Sequence, residues 1–98
     1  MAETKVFSLA HYKKSDKMMY VNCGRLCIGD SQIRIKCFWK TVAVLDVNSV
    51  QWKVLPDHTM GYKVIELSDA QQSIECLFMR KTFEKALKAL EDIKERLQ

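Results

Sequence analysis

Residues 82–98, TFEKALKALEDIKERLQ, are the stretch that decides how this chain folds. Their apolar side chains recur at helical spacing on one stripe, and the opposite face is charged. The apolar positions are Phe83, Ala86, Leu87, Leu90, Ile93 and Leu97. A helix with one apolar face must bury that face against another element. The sequence therefore predicts a C-terminal helix over residues 82–97, with Thr82 as its N-cap.

The residues before this helix have the pattern of short strands. Apolar and polar side chains alternate most clearly over 32–38, where Ile33, Ile35 and Cys37 share one side. Turn-forming segments such as GDS at 29–31 separate the strands. The predicted strands cover residues 5–12, 18–28, 32–38, 41–45, 50–54, 61–67 and 73–79. About seven short antiparallel strands followed by one helix predict a mainly β domain, a small barrel or bent sheet that the helix caps.

Length and composition indicate a single domain, residues 1–98, with a modest core. The chain is 48% hydrophobic and 29% charged, as expected of a globular protein. No apolar run approaches the roughly 18–20 residues that cross a bilayer, and the first residues do not resemble a signal peptide. We therefore expect a cytoplasmic or nuclear protein that is not secreted and has no transmembrane segment.

The residues with catalytic or metal-binding chemistry form no known motif. The chain has four cysteines and two histidines, at Cys23, Cys27, Cys37, Cys76, His11 and His58. Their spacing matches no zinc or redox motif, and the sequence lacks the signatures of nucleophilic hydrolases, zinc peptidases and nucleotide-binding loops. We expect free thiols acting as small core side chains, no metal, no cofactor, no catalytic residue and no enzymatic activity.

Three stretches resemble the pleckstrin-homology-like (PH-like) superfold, which includes GRAM-like domains. Residues 24–28 with 32–35 look like an early strand pair, and 44–52 look like the strand–turn–strand before the late hairpin. Residues 62–78, followed by 82–87, look like the final hairpin running into the capping helix. A polo-box-like domain, with six strands and a C-terminal helix, is the alternative. Either resemblance implies a binding module.

Basic residues concentrate in the N-terminal part of the chain. Residues 1–40 contain eight lysines and arginines against three acidic residues, so an acidic partner would bind there. PH domains that bind phosphoinositides use basic residues of the first hairpin and adjoining strands. The resemblance therefore implies an anionic lipid site at Lys13, Lys14, Lys17, Arg34 and Lys36. The competing interpretation is a solvated hairpin whose lysines protect sheet edges.

Several large apolar residues fall on positions that should face away from the core. They are Phe38, Trp39, Leu55, Leu77 and Met79. Either the helix and loops cover them, or they form a patch for a protein partner or a second copy of the chain. We expect a non-catalytic interaction module that recognises protein through this patch or a sheet edge. Peripheral attachment to anionic membrane is the alternative, and the modest net charge does not favour nucleic acid.

Overall fold

The structure, a computed structural model, describes residues 4–14, 17–19, 24–57 and 61–97. Nine strands precede one helix in this part of the chain, which confirms a mainly β fold with a C-terminal helix. The elements are β1 (Lys5–Leu9), β2 (His11–Lys14), β3 (Lys17–Met19), β4 (Gly24–Ile28), β5 (Gln32–Cys37), β6 (Lys40–Asp46), β7 (Gln51–Leu55), β8 (Lys63–Ser68), β9 (Ser73–Phe78) and α1 (Arg80–Leu97).

The strands form two antiparallel sheets. The four-stranded sheet has the order β1-β4-β5-β6, and the five-stranded sheet has the order β3-β2-β9-β8-β7. Because no strand of one sheet pairs with a strand of the other, the described strands do not close into a barrel. The expected barrel is therefore replaced by two separate sheets whose inner faces share one core with α1.

The structure has nine described strands where the sequence predicted about seven, because the first two predicted strands are each divided between the two sheets. The predicted strand 5–12 is observed as two strands, β1 and β2, separated by Ala10. The chain passes from one sheet to the other at this residue, because the Ala10 N–H donates to the Leu77 carbonyl of the five-stranded sheet at 2.9 Å. The predicted strand 18–28 is observed as β3 and β4, with 20–23 outside the described residues. Gly24 begins β4, where an added Cβ would lie only 3.3 Å from the Cβ of Leu9. Glycine thus permits the close approach of the two strands.

The helix packs as its apolar stripe predicts, since Ala86, Leu90 and Ile93 are buried in the core. Its start differs from the prediction, because α1 begins at Arg80 and places Thr82 inside the first turn. The Phe83 N–H donates to the Met79 carbonyl at 2.9 Å, which makes Met79 the N-cap residue. The prediction of Thr82 as N-cap is therefore wrong, because β9 runs almost directly into the helix.

Candidate functional site

Among the residues that the structure describes, the most exposed aromatic side chains lie at the end of the β5–β6 hairpin. Cys37 pairs with Lys40, so Phe38 and Trp39 form a two-residue turn, which we call the aromatic tip. Trp39 is 91% exposed and Phe38 is 67% exposed, and their ring centroids lie 5.9 Å apart. Phe38 has a φ of 59°, in the left-handed region that favours glycine. The tip thus combines an exposed apolar surface with a strained backbone position.

A groove of about 510 Å³ lies beside the aromatic tip. It is lined by Tyr12, Cys37, Phe38, Trp39, Lys40, Thr41 and Val42. The β5–β6 register shifts between Ile35 and Lys36, which leaves Val42 as an extra, bulged residue in β6. The groove is mainly apolar, with Lys40 as its only charged residue among those that line it.

The outer face of the four-stranded sheet carries three cations that we call the cationic face: Arg25, Arg34 and Lys36. Arg25 lies directly opposite Lys36 in the antiparallel register. Arg34 donates two hydrogen bonds to Oε1 of Gln32, at 2.9 and 3.2 Å. No described carboxylate forms an ion pair with any of the three cations, although like charges directly opposite each other destabilise a sheet. This positive charge is therefore uncompensated within the described residues.

The lysines of the first hairpin are engaged differently from the cationic face. Nζ of Lys13 lies 3.8 Å from Oε2 of Glu75, and Nζ of Lys14 donates to the Val42 carbonyl at 2.9 Å. Lys17 begins β3 in register with Lys14, but its side chain lies outside the described part. The structure therefore places Arg34 and Lys36 together on one face and gives Lys13 and Lys14 partners within the fold.

Charges on the outer face of the five-stranded sheet balance along one cross-strand row. The row runs Lys53–Glu66–Glu75–Lys13 across β7, β8, β9 and β2. The two glutamates face each other, and each has a lysine on its other side, with Lys53 3.6 Å from Glu66. This sheet compensates its charges internally, in contrast to the cationic face.

The remaining apolar candidates do not form one patch. Met79 is 60% exposed and Leu55 is half-buried, but Leu77 is only 1% exposed. Leu77 therefore faces away from the shared core as predicted, and of the two expected alternatives it is covered and does not belong to an exposed patch. Leu77 pairs with His11 on one side and Val64 on the other, and all three are buried on the outer side of the sheet. The Tyr62 ring meets the His11 ring edge-on at 5.0 Å, which helps to cover this row.

A second groove, missed by the sequence interpretation, lies beside the edge strand β7. Its volume is about 480 Å³, and its lining residues are Val47, Asn48, Val50, Gln51, Trp52, Ile93 and Lys94. Nζ of Lys94 lies 5.9 Å from the centroid of the Trp52 ring. The alternation of Val50, Trp52 and Val54 indicated a strand, but no sequence signal showed that Lys94 of α1 would lie against it.

The described cysteines differ in burial. Cys27 is half-buried and Cys76 fully buried, and both are free thiols, whereas Cys23 and His58 lie outside the described part. Burial raises the pKa of the Cys76 thiol to about 12, and neighbouring Glu75 contributes to this rise. Among the described residues, no three His, Cys, Asp or Glu side chains form a group able to hold a metal ion.

Within the described chain, no helix combines the length and apolar character of a membrane span. Comparison with protein-family models, with curated proteins and with solved structures finds no match to this chain. The function of the protein must therefore be inferred from the geometry of its surfaces.

Proposed function

We propose that this protein is a non-catalytic recognition module that binds a protein partner through its aromatic tip. The observation that carries the proposal is the 91% exposure of Trp39 beside Phe38, whose φ is 59°. A hairpin selected only for stability would have glycine or asparagine at such a position and a polar residue beside it. Strained, non-glycine positions cluster at functional sites, and tryptophan is enriched among the residues that dominate binding energy.

The partner should offer an apolar recess with an acidic rim. Lys36 and Lys40 flank the aromatic tip, and neither forms an ion pair with a described carboxylate. A protruding tip beside a groove suits a protein surface, because a protein can fill the groove while its own recess receives Trp39. Acidic groups around that recess would complement the two lysines and speed association.

We also propose that the fold is PH-like, with the polo-box-like arrangement as the alternative. The support comes from the division of the chain between the two sheets. The β1–β2 and β3–β4 segments each contribute to both sheets, the later strands follow as simple antiparallel neighbours, and α1 packs against the shared core.

The test of the proposed function is a comparison of three immobilised proteins: wild type, Trp39→Ser and Val6→Ser. Val6 is 56% exposed on β1 and serves as the matched apolar control. We expect a protein that wild type and Val6→Ser retain from cell extract and that Trp39→Ser loses. That protein is then purified and titrated calorimetrically against each variant. Equal affinity for Trp39→Ser and wild type would overturn the proposal, and light scattering of the free chain identifies a second copy as the partner.

A second candidate function, attachment to an anionic membrane, is favoured by the uncompensated cationic face. Arg25, Arg34 and Lys36 can meet phosphate groups, and the nearby aromatic tip can enter the lipid interface. Lys13 and Lys14 are poor choices for testing this function, because they contact Glu75 and Val42 and their replacement would disturb the fold.

The membrane test is co-sedimentation with phosphatidylcholine vesicles that contain or lack phosphatidylserine. We expect the triple variant Arg25→Gln, Arg34→Gln and Lys36→Gln to lose any binding to anionic vesicles. Binding of wild type should fall with salt, because exposed charges are screened beyond about 10 Å at 0.1 M ionic strength. Equal sedimentation of wild type with both vesicle types would exclude this second function.

A further inference from the structure

The edges of the two sheets differ in how their backbone is covered. The edge strand β6 is capped by two side chains, since its Val42 and Val44 carbonyls accept hydrogen bonds from Lys14 of β2 and from Gln72 in the β8–β9 turn. The edge strand β1 lies beside α1, where Nζ of Lys5 is 4.0 Å from Oδ2 of Asp92. The edge strand β3 is bordered by residues outside the described part.

The edge strand β7 has a different environment. Among the described residues, no side chain forms a hydrogen bond to the backbone of 51–55. Its side chains offer little protection, because Val54 is 51% exposed. The ion pair of Lys53 is with Glu66 on the neighbouring strand β8 and does not block the edge. An uncapped edge strand is a template for another extended chain.

The groove beside β7 adds side-chain specificity to this free edge. Val47, Val50 and Ile93, which are largely buried in the core, form the apolar base of the groove, and half-buried Trp52 contributes an aromatic surface. Lys94 is the only charged residue among those lining the groove, and it lies over the Trp52 ring at 5.9 Å. A ligand that combines an apolar group with a nearby negative charge would complement both features.

We propose that β7 and this groove form a second binding site, which takes an extended acidic peptide as an added strand. The peptide backbone would pair with β7, whose five residues can accommodate a segment of similar length. Since alternate side chains of a strand point to opposite faces, every second side chain of the peptide would face the groove. Apolar side chains at some of these positions would enter the groove, and a carboxylate two residues further along, on the same face, would lie near Lys94. An extended peptide fits better than a lipid surface, because the site is concave and has a single cation.

The test uses Trp39→Ser, which leaves Trp52 as the sole tryptophan and removes the aromatic tip from the measurement. The probe is an acetylated and amidated peptide in which valine and glutamate take turns at every second position and threonine fills the positions between them, so that valine and glutamate share one face. It is about eight residues long so that it covers β7 at ~3.4 Å per residue. We expect a saturable change in Trp52 fluorescence. In amide NMR spectra of wild type, we expect shifts that concentrate in residues 51–55 and around Lys94. Because the fluorescence is measured on a variant that lacks Trp39, the change in Trp52 fluorescence does not depend on the proposed function of the aromatic tip.

Two comparisons decide between strand addition and non-specific binding. The first comparison uses the same peptide with alternate backbone amides N-methylated, which prevents hydrogen bonding to β7. This peptide should not bind the wild-type protein. Lys94→Glu should weaken the affinity for the acidic peptide by roughly tenfold, an effect on the order of a close charge pair at a binding surface. It should strengthen the affinity for the same peptide with lysine in place of glutamate. Lys88→Glu, at an exposed position on the same helix, should change neither affinity.

The proposal is overturned if millimolar peptide leaves the amides of β7 unshifted. It is also overturned if the N-methylated peptide binds as well as the parent, or if Lys94→Glu and Lys88→Glu behave alike while both retain the circular dichroism spectrum of wild type. Each result distinguishes recognition of an extended backbone from simple attraction to a basic protein, because the N-methylated peptide keeps all its charges.

Discussion

Nζ of Lys14 donates a hydrogen bond to the backbone carbonyl of Val42 at 2.9 Å and so joins two sheets that share no backbone pairing. Lys14 belongs to β2 of the five-stranded sheet, and Val42 is the bulged residue of the edge strand β6. Nε2 of Gln72 makes a second such bond, to the Val44 carbonyl at 2.8 Å. Two side chains therefore cover an edge that the open arrangement would otherwise leave exposed.

Replacing Lys14 with methionine should weaken this connection. Lys14→Met keeps most of the apolar stem but removes the donor, so we expect a loss of about 0.5–1.5 kcal/mol in the free energy of unfolding. Urea denaturation measures the change. Lys40→Met, at an exposed lysine on the same edge strand, should be nearly neutral. Equal effects of the two substitutions would show that the Lys14–Val42 hydrogen bond contributes nothing to stability.

Leu90 lies at the centre of the apolar stripe by which α1 packs into the core. Its side chain is fully buried between the helix and the sheets. Leu90→Asp removes packing contacts and buries an unpaired carboxylate, so we expect a loss of more than about 4 kcal/mol, enough to unfold most small domains. Thermal unfolding followed by circular dichroism is the measurement, with Glu91→Asp on the exposed side of the helix as control. A transition near that of wild type would show that the helical stripe is not part of the core.

Cys76 should make stability depend on pH in the alkaline range. Burial raises the pKa of its thiol from the usual 9.0 to about 12. Above pH 9 the unfolded chain loses this proton while the folded protein retains it. The stabilising contribution is therefore complete below pH 9 and is lost as the pH rises toward 12.

The measurement for Cys76 is the urea midpoint at neutral pH and near pH 10, for wild type and for Cys76→Ala. The alanine variant should be less stable at both pH values because it leaves a cavity. Its midpoint should nevertheless fall less with pH than that of wild type, since lysine and tyrosine titration is common to both proteins. Parallel pH dependences would contradict the assignment of this effect to Cys76.

Met79 occupies the N-cap position of α1 without a side chain that can act as a cap. The first turn contains no acidic residue, and Arg80 and Lys81 place positive charge at the positive end of the helix dipole. Met79→Asp should therefore stabilise the protein by about 1 kcal/mol. Met79→Ala, which has no capping oxygen, should give no gain in urea denaturation. If the two variants are equally stable, the helix start is already satisfied by another group.

The helix and most strands could be predicted from the sequence because their periodicity is local. The stripe through Ala86, Leu90 and Ile93 follows from spacing alone. The burial of Leu77 could not be predicted, since alternation shows which side a residue takes but not whether that side is covered. Here the cover comes from a row that includes His11 and Val64, which are distant in sequence.

For the candidate site, the sequence could predict the exposed aromatic residues but not the partners of the lysines. Two adjacent aromatics, Phe38 and Trp39, cannot both enter the same core, and the structure places both at an exposed turn. The fate of the lysines depended on cross-strand register, which a single sequence does not specify. Glu75 lies opposite Lys13 only because β2 pairs with β9, the last strand of the chain. The cationic face likewise results from the pairing of β4 with β5.

The aromatic tip should trade stability for binding, and Phe38→Gly tests this directly. A bulky residue at a φ of 59° stores about 1–2 kcal/mol of strain that glycine does not. Glycine gives back roughly 0.5–1 kcal/mol through the greater freedom of the unfolded chain. Little packing is lost, because Phe38 is 67% exposed. We therefore expect a net gain of up to about 1 kcal/mol in urea denaturation.

Lys40→Gly is the matched control for Phe38→Gly, because Lys40 is exposed and its backbone is not in the left-handed region. Glycine there should lower stability by roughly 0.5–1 kcal/mol. Phe38→Gly should also weaken binding of the partner that depends on Trp39, so that stability and affinity change in opposite directions. A loss of stability in Phe38→Gly as large as in Lys40→Gly would instead mean that Phe38 stabilises the hairpin, and the tip would then be a structural element of the fold.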